Sequence, residues 1–186
     1  MPREAFSTIY ELAADQFGYV TAAQARDAGV QPMALVMMER RQTLERVSRG
    51  VYRLVQFPHG PLAEYMEATL WPAGITGVIS HESALALYGI SDVNPGKIHL
   101  TLPLRYRVRR AIPGRFSLHQ ADLAEAERTL YEGIPVTTVP RTVLDCRRAS
   151  VAGETLEQAL AGAQRKGLIQ ASEKAALRTE LDLPLW

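Results

Sequence analysis

Gly18-Tyr-Val-Thr-Ala-Ala-Gln-Ala-Arg-Asp-Ala-Gly29 and, one helical stretch later, Leu44-Glu-Arg-Val-Ser-Arg-Gly-Val-Tyr-Arg-Leu54 decide how this chain folds. Thr21 stands where a side-chain oxygen can accept from the free amides of a new helix over 22–28, and Gly29 where that helix must end. Gln31-Pro32 opens a third helix, in which proline lacks only an amide that would have no helical partner. That helix runs to about Arg41 and buries Leu35 and Met38. In the second stretch two β-prone runs flank Ser48-Arg49-Gly50, which reads as a hairpin with a basic tip.

Upstream, Phe6, Ile9, Tyr10, Ala13, Ala14 and Phe17 fall on one stripe of a helix over 4–17, which Gly18 stops. Three helices and then a hairpin, with two short helices joined by a glycine turn at the centre, is the order of a winged helix-turn-helix. Downstream, Pro58-His59-Gly60-Pro61 breaks all periodicity and reads as a linker. Helices are then expected over Leu62–Trp71, Ser80–Tyr88, Pro140–Arg148, 153–166 and 172–180. Strands are expected over Lys97–Leu104, Arg115–Gln120 and Ile134–Val139. The fold class is therefore α+β. A winged helix-turn-helix over 1–57 precedes a mixed α+β domain with a small sheet over 62–186.

The chain has 186 residues, 47% hydrophobic and 22% charged, enough apolar material for a packed core and unlike a disordered polymer. Its net charge of +1 says nothing about partners. One cysteine, Cys146, leaves no intramolecular disulfide framework and no cysteine-rich metal site. The start, Met1-Pro2-Arg3-Glu4, is unlike a secretory leader, and no apolar run reaches the roughly 18 residues of a spanning helix. A soluble cytoplasmic protein without membrane association is the expectation.

Charge is distributed unevenly. Between Asp92 and Asp122 there is no acid, while Lys97, Arg105, Arg107, Arg109, Arg110 and Arg115 fall in that stretch. Crowded guanidiniums repel one another, and an anion that neutralises them removes the cost; arginine's forked donors suit phosphate. A solvated loop is the competing reading. In the N-terminal unit Arg40 and Arg41 end the third helix, and Arg46, Arg49 and Arg53 line the hairpin. There a recognition helix and a wing would meet a DNA backbone. If DNA is the ligand, these arginines and the group Arg105, Arg107, Arg109 and Arg110 face phosphates, and Gln31 and Met37 are the candidates for base contact.

Three segments resemble the AbiEi family of antitoxin-type transcriptional regulators from type IV toxin–antitoxin systems. They are the two stretches quoted first, then Ile79-Ser-His-Glu-Ser-Ala-Leu-Ala-Leu-Tyr-Gly89 with the strand after it, then Ile134-Pro-Val-Thr-Thr-Val-Pro-Arg-Thr-Val-Leu-Asp145. The resemblance implies a winged helix that binds double-stranded operator DNA, in inverted repeats of its own promoter, and represses its own operon. It also implies a nucleotidyltransferase-like toxin as functional partner, countered without a stable complex. The third helix departs from the family's pattern. Met33, Val36 and Met37 stand where base-reading side chains would be, and such residues can touch a thymine methyl but cannot make bidentate bonds to guanine or adenine. A protein-interaction module that uses this apolar helix as its contact surface stays open as the alternative.

No constellation for catalysis is visible. His81-Glu82 lacks the second histidine of a zinc-protease helix, since position 85 is leucine. His81 and Glu82 are expected to stabilise the first turn of their helix instead. His59, His81, His99 and His119 are too scattered in sequence to suggest ligands. His99 and His119 could face each other across paired strands, where a shared metal is the minor alternative and outward-facing residues the favoured reading. Ser80, Ser83 and Cys146 have no nucleophile elbow around them, and Cys146 reads as a buried structural thiol. Asp145 and Arg141 read as a helical ion pair. Neither enzyme activity, cofactor nor metal is expected.

Overall fold

Thr21 fulfils the capping role its position suggests. Its Oγ1 accepts from the Gln24 amide at 3.1 Å, and Gln24 Oε1 accepts from the Thr21 amide at 2.9 Å. This reciprocal pair starts α2 (Ala22–Asp27) directly after the three-residue strand β1 (Tyr19–Thr21). In the computed structural model, residues 2–183 are described, with side chains from Glu4 onward; Met1, the side chains of Pro2 and Arg3, and 184–186 lie outside. Contacts divide the chain into two compact units, with the division between Gly77 and Val78.

The first unit opens with α1 (Pro2–Ala14), which ends three residues before the expected Phe17. The Gly18 amide bonds back to the Ala13 carbonyl at 2.8 Å, and Phe17 takes φ +55° in the turn. Gly29, at φ +82°, reverses the chain after α2 at an angle that a side chain would resist. Then α3 (Pro32–Arg40) runs into β2 (Leu44–Ser48), and a two-residue turn at Arg49-Gly50 leads to β3 (Val51–Leu54). Gly50 is left-handed (φ +79°), and the register slips between Arg46 and Ser48, a bulge that sharpens the wing. The sheet order is β1-β3-β2, antiparallel throughout. Ile9, Val20, Leu35, Met38, Leu44 and Leu54 form the centre of its core. The winged helix-turn-helix is present as expected. Helix α4 (Ala63–Leu70) packs on β1, so Pro58–Pro61 and the helix after it fall within the first compact unit.

The second unit is built on a five-stranded mixed sheet ordered β6-β5-β4-β8-β7. Its strands are β4 (Val78–Ile79), β5 (Ile98–Leu102), β6 (Phe116–Gln120), β7 (Arg128–Tyr131) and β8 (Ile134–Thr137). The central β4 pairs parallel to β8 and antiparallel to β5. Strands β5 and β6 are parallel, so the 103–115 connection crosses back along the sheet instead of making a hairpin. Helix α5 (His81–Tyr88) packs on β5 and on α6 (Val139–Arg148), which is followed by α7 (Gly153–Arg165) and α8 (Ala171–Glu180). Tyr88 ties α5 to the sheet by donating to the Thr137 carbonyl at 2.8 Å. Among the described residues eight α-helices and two small sheets make an α+β protein, the expected class, and no helix is long and apolar enough to cross a membrane.

Candidate nucleic-acid interface and a histidine cluster

Four of the five wing and helix-end arginines expected at DNA are exposed. Arg40 closes α3 and Arg41 caps it; Arg46 lies on β2, and Arg49 occupies the wing turn. Because α3 runs straight into β2, both pairs belong to one continuous stretch of chain. Gln31 is exposed at the start of α3, where its side chain makes no capping bond, and Met37 is partly exposed.

Arg53 does not belong with them. Only 1% of it is exposed. Its Nη2 donates to the Phe57 carbonyl at 2.6 Å, its Nη1 lies 3.4 Å from Glu45 Oε1 directly across the hairpin, and its guanidinium carbon sits 5.7 Å from the centre of the Tyr19 ring. All four residues of β3 are buried, because it is the central strand of its sheet, so the alternation that would expose Arg53 is absent. Arg53 is an internal brace of the wing and, contrary to the expectation from its place on the hairpin, is not available to a phosphate.

Helix α3 turns Leu35 and Met38 inward, as expected. Met33 is 66% exposed, and Val36 and Met37 more than a third. Together with Phe6 of α1, Met33 and Met37 line a largely apolar cleft of about 930 Å³. In the second unit, the crossover loop carries Arg105, Arg107 and Arg109 exposed and Arg110 half-buried. Arg110 is thus less available than its neighbours.

The second unit also holds an arrangement that spacing along the chain conceals. His81, His99 and His119 come together, with one ring nitrogen from each all within 4.8 Å of one another. His81 is the first residue of α5, His99 lies on β5, and His119 lies on β6 opposite Thr101. The His81 and His119 rings stack with centroids 3.6 Å apart, and His119 Nε2 lies 3.1 Å from His99 Nδ1. Three of the four histidines judged scattered therefore form one cluster, His99 and His119 facing inward toward α5 and not out to solvent. Parallel pairing of β5 and β6 with α5 packed against β5 brings them together.

Polar neighbours fix the rings. Ser80 makes no capping bond to α5; its Oγ lies 2.9 Å from His81 Nδ1 and accepts from Thr101 Oγ1 at 2.8 Å. His81 itself is left-handed at φ +54°. Glu82 lies 3.9 Å from His99 Nε2. Burial holds His81 down to about 3, helped by the neighbouring imidazoles and Arg141. Burial likewise lowers His99, against the pull of Glu82, and His119. All three rings are neutral near pH 7.

Beside them Arg141 joins Asp145 and Glu127, each at 2.8 Å, so the expected helical pair is one arm of a three-residue network. Cys146 is fully buried as expected, and burial, with Glu82 and Asp145 adding to it, pushes its thiol up to about 12.

The winged-helix segment, from the second turn of α1 to the end of β3, is the part of the chain that a family model matches. Residues 7–55 match the family model described as transcriptional regulator, AbiEi antitoxin. The match takes in the helix-turn-helix, α3 and the whole wing, and shows the first unit to be similar to AbiEi-type regulators. The segments at 79–89 and 134–145 lie beyond the matched residues. No curated protein matches the chain. Among solved structures the chain is similar to the RV2827C protein from Mycobacterium tuberculosis, with 16% identity, a TM-score of 0.44, and coverage of 95% of this chain and 81% of that one.

Proposed function

We propose that this protein is a DNA-binding repressor that serves as the antitoxin of a type IV toxin–antitoxin system and represses its own operon. The observation that carries the reading is the AbiEi-type winged helix, with exposed Arg40 and Arg41 at the end of α3 and exposed Arg46 and Arg49 on the wing. In a winged helix α3 enters the major groove and the wing follows the backbone, so these four guanidiniums meet phosphates on either side of the groove. Gln31 and Met37 face the bases, Met37 against a thymine methyl. Arg105, Arg107 and Arg109 supply further phosphate contacts from the second unit, with Arg110 contributing less. The toxin is nucleotidyltransferase-like and is countered without a stable complex. The protein acts in the cytoplasm as a regulator without catalysis.

Footprinting on the DNA upstream of its own gene tests this reading. Two protected segments in inverted orientation, lost in an Arg46→Ala/Arg49→Ala variant, are the expected result. A uniform cleavage ladder at all protein concentrations contradicts it.

A second reading rests on the cleft that Met33 and Met37 form with Phe6. Methionine-lined apolar surface adapts to protein partners. An upstream duplex that goes unprotected while α3 substitutions abolish repression would favour that reading.

A further inference from the structure

The geometry points to a divalent-metal site in the second unit, formed by His81, His99 and His119 and fitted to Zn²⁺, with its fourth position open to the cleft beside them. Zinc holds imidazole nitrogens at about 2.0–2.1 Å, which puts two ligand nitrogens of a tetrahedral site roughly 3.4 Å apart. His119 Nε2 and His99 Nδ1 are already 3.1 Å apart, and no pair of ligand atoms exceeds 4.8 Å. The His81 ring must leave its stack on His119 to complete the set.

Two of the three rings, those of His81 and His99, have a polar neighbour at the second nitrogen. A ligating imidazole is aimed by the hydrogen bond at its second nitrogen. For His99 that nitrogen is Nε2, which the Glu82 carboxylate faces from 3.9 Å, outside hydrogen-bond reach, and Nδ1 faces the centre of the cluster. For His81 it is Nδ1, held by Ser80 Oγ, which is itself bonded to the buried Thr101 hydroxyl; Nε2 is then the ligand. His119 presents Nε2. The left-handed backbone of His81 fits this role, since such strain persists where the surroundings over-determine a residue. His81 and His119 also line a cleft of about 350 Å³ with Thr101, Arg141, Asp145 and Arg148, and the fourth position would open to it. Three nitrogen ligands and one open position is the pattern of accessible zinc sites; Glu82 is the carboxylate nearest the rings, while Asp145 is already paired with Arg141 and Arg148.

The test uses the full chain, untagged, stripped with a chelator and titrated with Zn²⁺ alone by calorimetry. One equivalent per chain is expected, with affinity about tenfold or more weaker in Ser80→Ala, which removes the support of His81 and leaves the three ligands in place. His81→Ala/His119→Ala loses the site, while His59→Ala, an exposed histidine outside the cluster, binds as the parent does. Co²⁺ added to the unsubstituted protein gives an independent readout that needs no variant to fold. Visible bands of a four-coordinate ion, without the near-ultraviolet charge-transfer band of a thiolate, are expected. No Zn²⁺ uptake by the stripped protein, uptake that survives loss of both His81 and His119, or an octahedral Co²⁺ spectrum would each overturn the assignment.

Discussion

Arg53 Nη2 donates to the Phe57 carbonyl at 2.6 Å, and that bond ties the last strand of the wing to the chain that leaves it. Beside Glu45 and under the Tyr19 ring, the guanidinium is compensated where an isolated buried charge would be costly. Arg53→Ala leaves the Phe57 carbonyl short of its donor and opens a void, and is expected to lower the stability of the first unit by about 2–4 kcal/mol. Arg46→Ala, on the exposed strand, stays within about 0.5 kcal/mol of the parent. Urea melts of the two variants check the contrast. Equal midpoints would return Arg53 to the surface.

Gly162 of α7 lies where a Cβ would stand 2.3 Å from the Ile90 carbonyl oxygen. Alanine in a helix interior ordinarily gains about 1 kcal/mol over glycine. Here the obstacle is backbone, which cannot swing aside, and overpacking costs about 1–3 kcal/mol or more. Gly162→Ala is therefore destabilising by thermal melting, and a raised melting temperature would show that α7 and the Ile90 turn part freely.

Cys146 should ignore thiol reagents at pH 8 in the folded protein and react fully once denatured. Its folded thiol titrates near 12 against an ordinary value of 9.0, so between those values the unfolded chain has released a proton that the folded chain keeps. Stability from this group is whole below pH 9 and lost as pH rises toward 12, by up to about 1.4 kcal/mol per unit. Cys146→Ala should show a shallower alkaline decline by that amount. An identical decline in both proteins refutes the assignment.

Each phosphate-contacting arginine that is removed should flatten the dependence of DNA affinity on salt by about one unit of log–log slope. Arg49→Ala and Arg40→Ala are expected to do so on every sequence alike. The Arg107→Ala/Arg109→Ala pair tests the second unit's share, and a slope equal to the parent's removes that loop from the interface.

The winged helix was legible because its signals are local. Thr21 caps with Gln24, Gly29 and Gly50 adopt the backbone that only glycine takes easily, and Pro32 begins α3, all within a few residues of their effect. Strands β1 and β4 escaped notice because three and two residues cannot show alternation. Strand β7 is an exposed edge whose turn into β8 lacks the usual signature, since Glu132 takes the left-handed place usually held by asparagine or aspartate. Arg53 was misplaced because basic residues on a hairpin read as outward-facing, although Glu45 opposite it was a clue to pairing. The histidine cluster depends on a parallel crossover and on the packing of α5, contacts between residues 18 to 38 positions apart that no local pattern encodes.

Repression by this protein requires DNA binding by the first unit. Fluorescence anisotropy of the full chain on DNA from upstream of its own gene, against a scrambled duplex across a salt series, tests that most directly. Tighter binding to the upstream DNA with a steep loss of affinity as salt rises is the predicted result. Equal affinity for both duplexes, or no binding even at low salt, would contradict it.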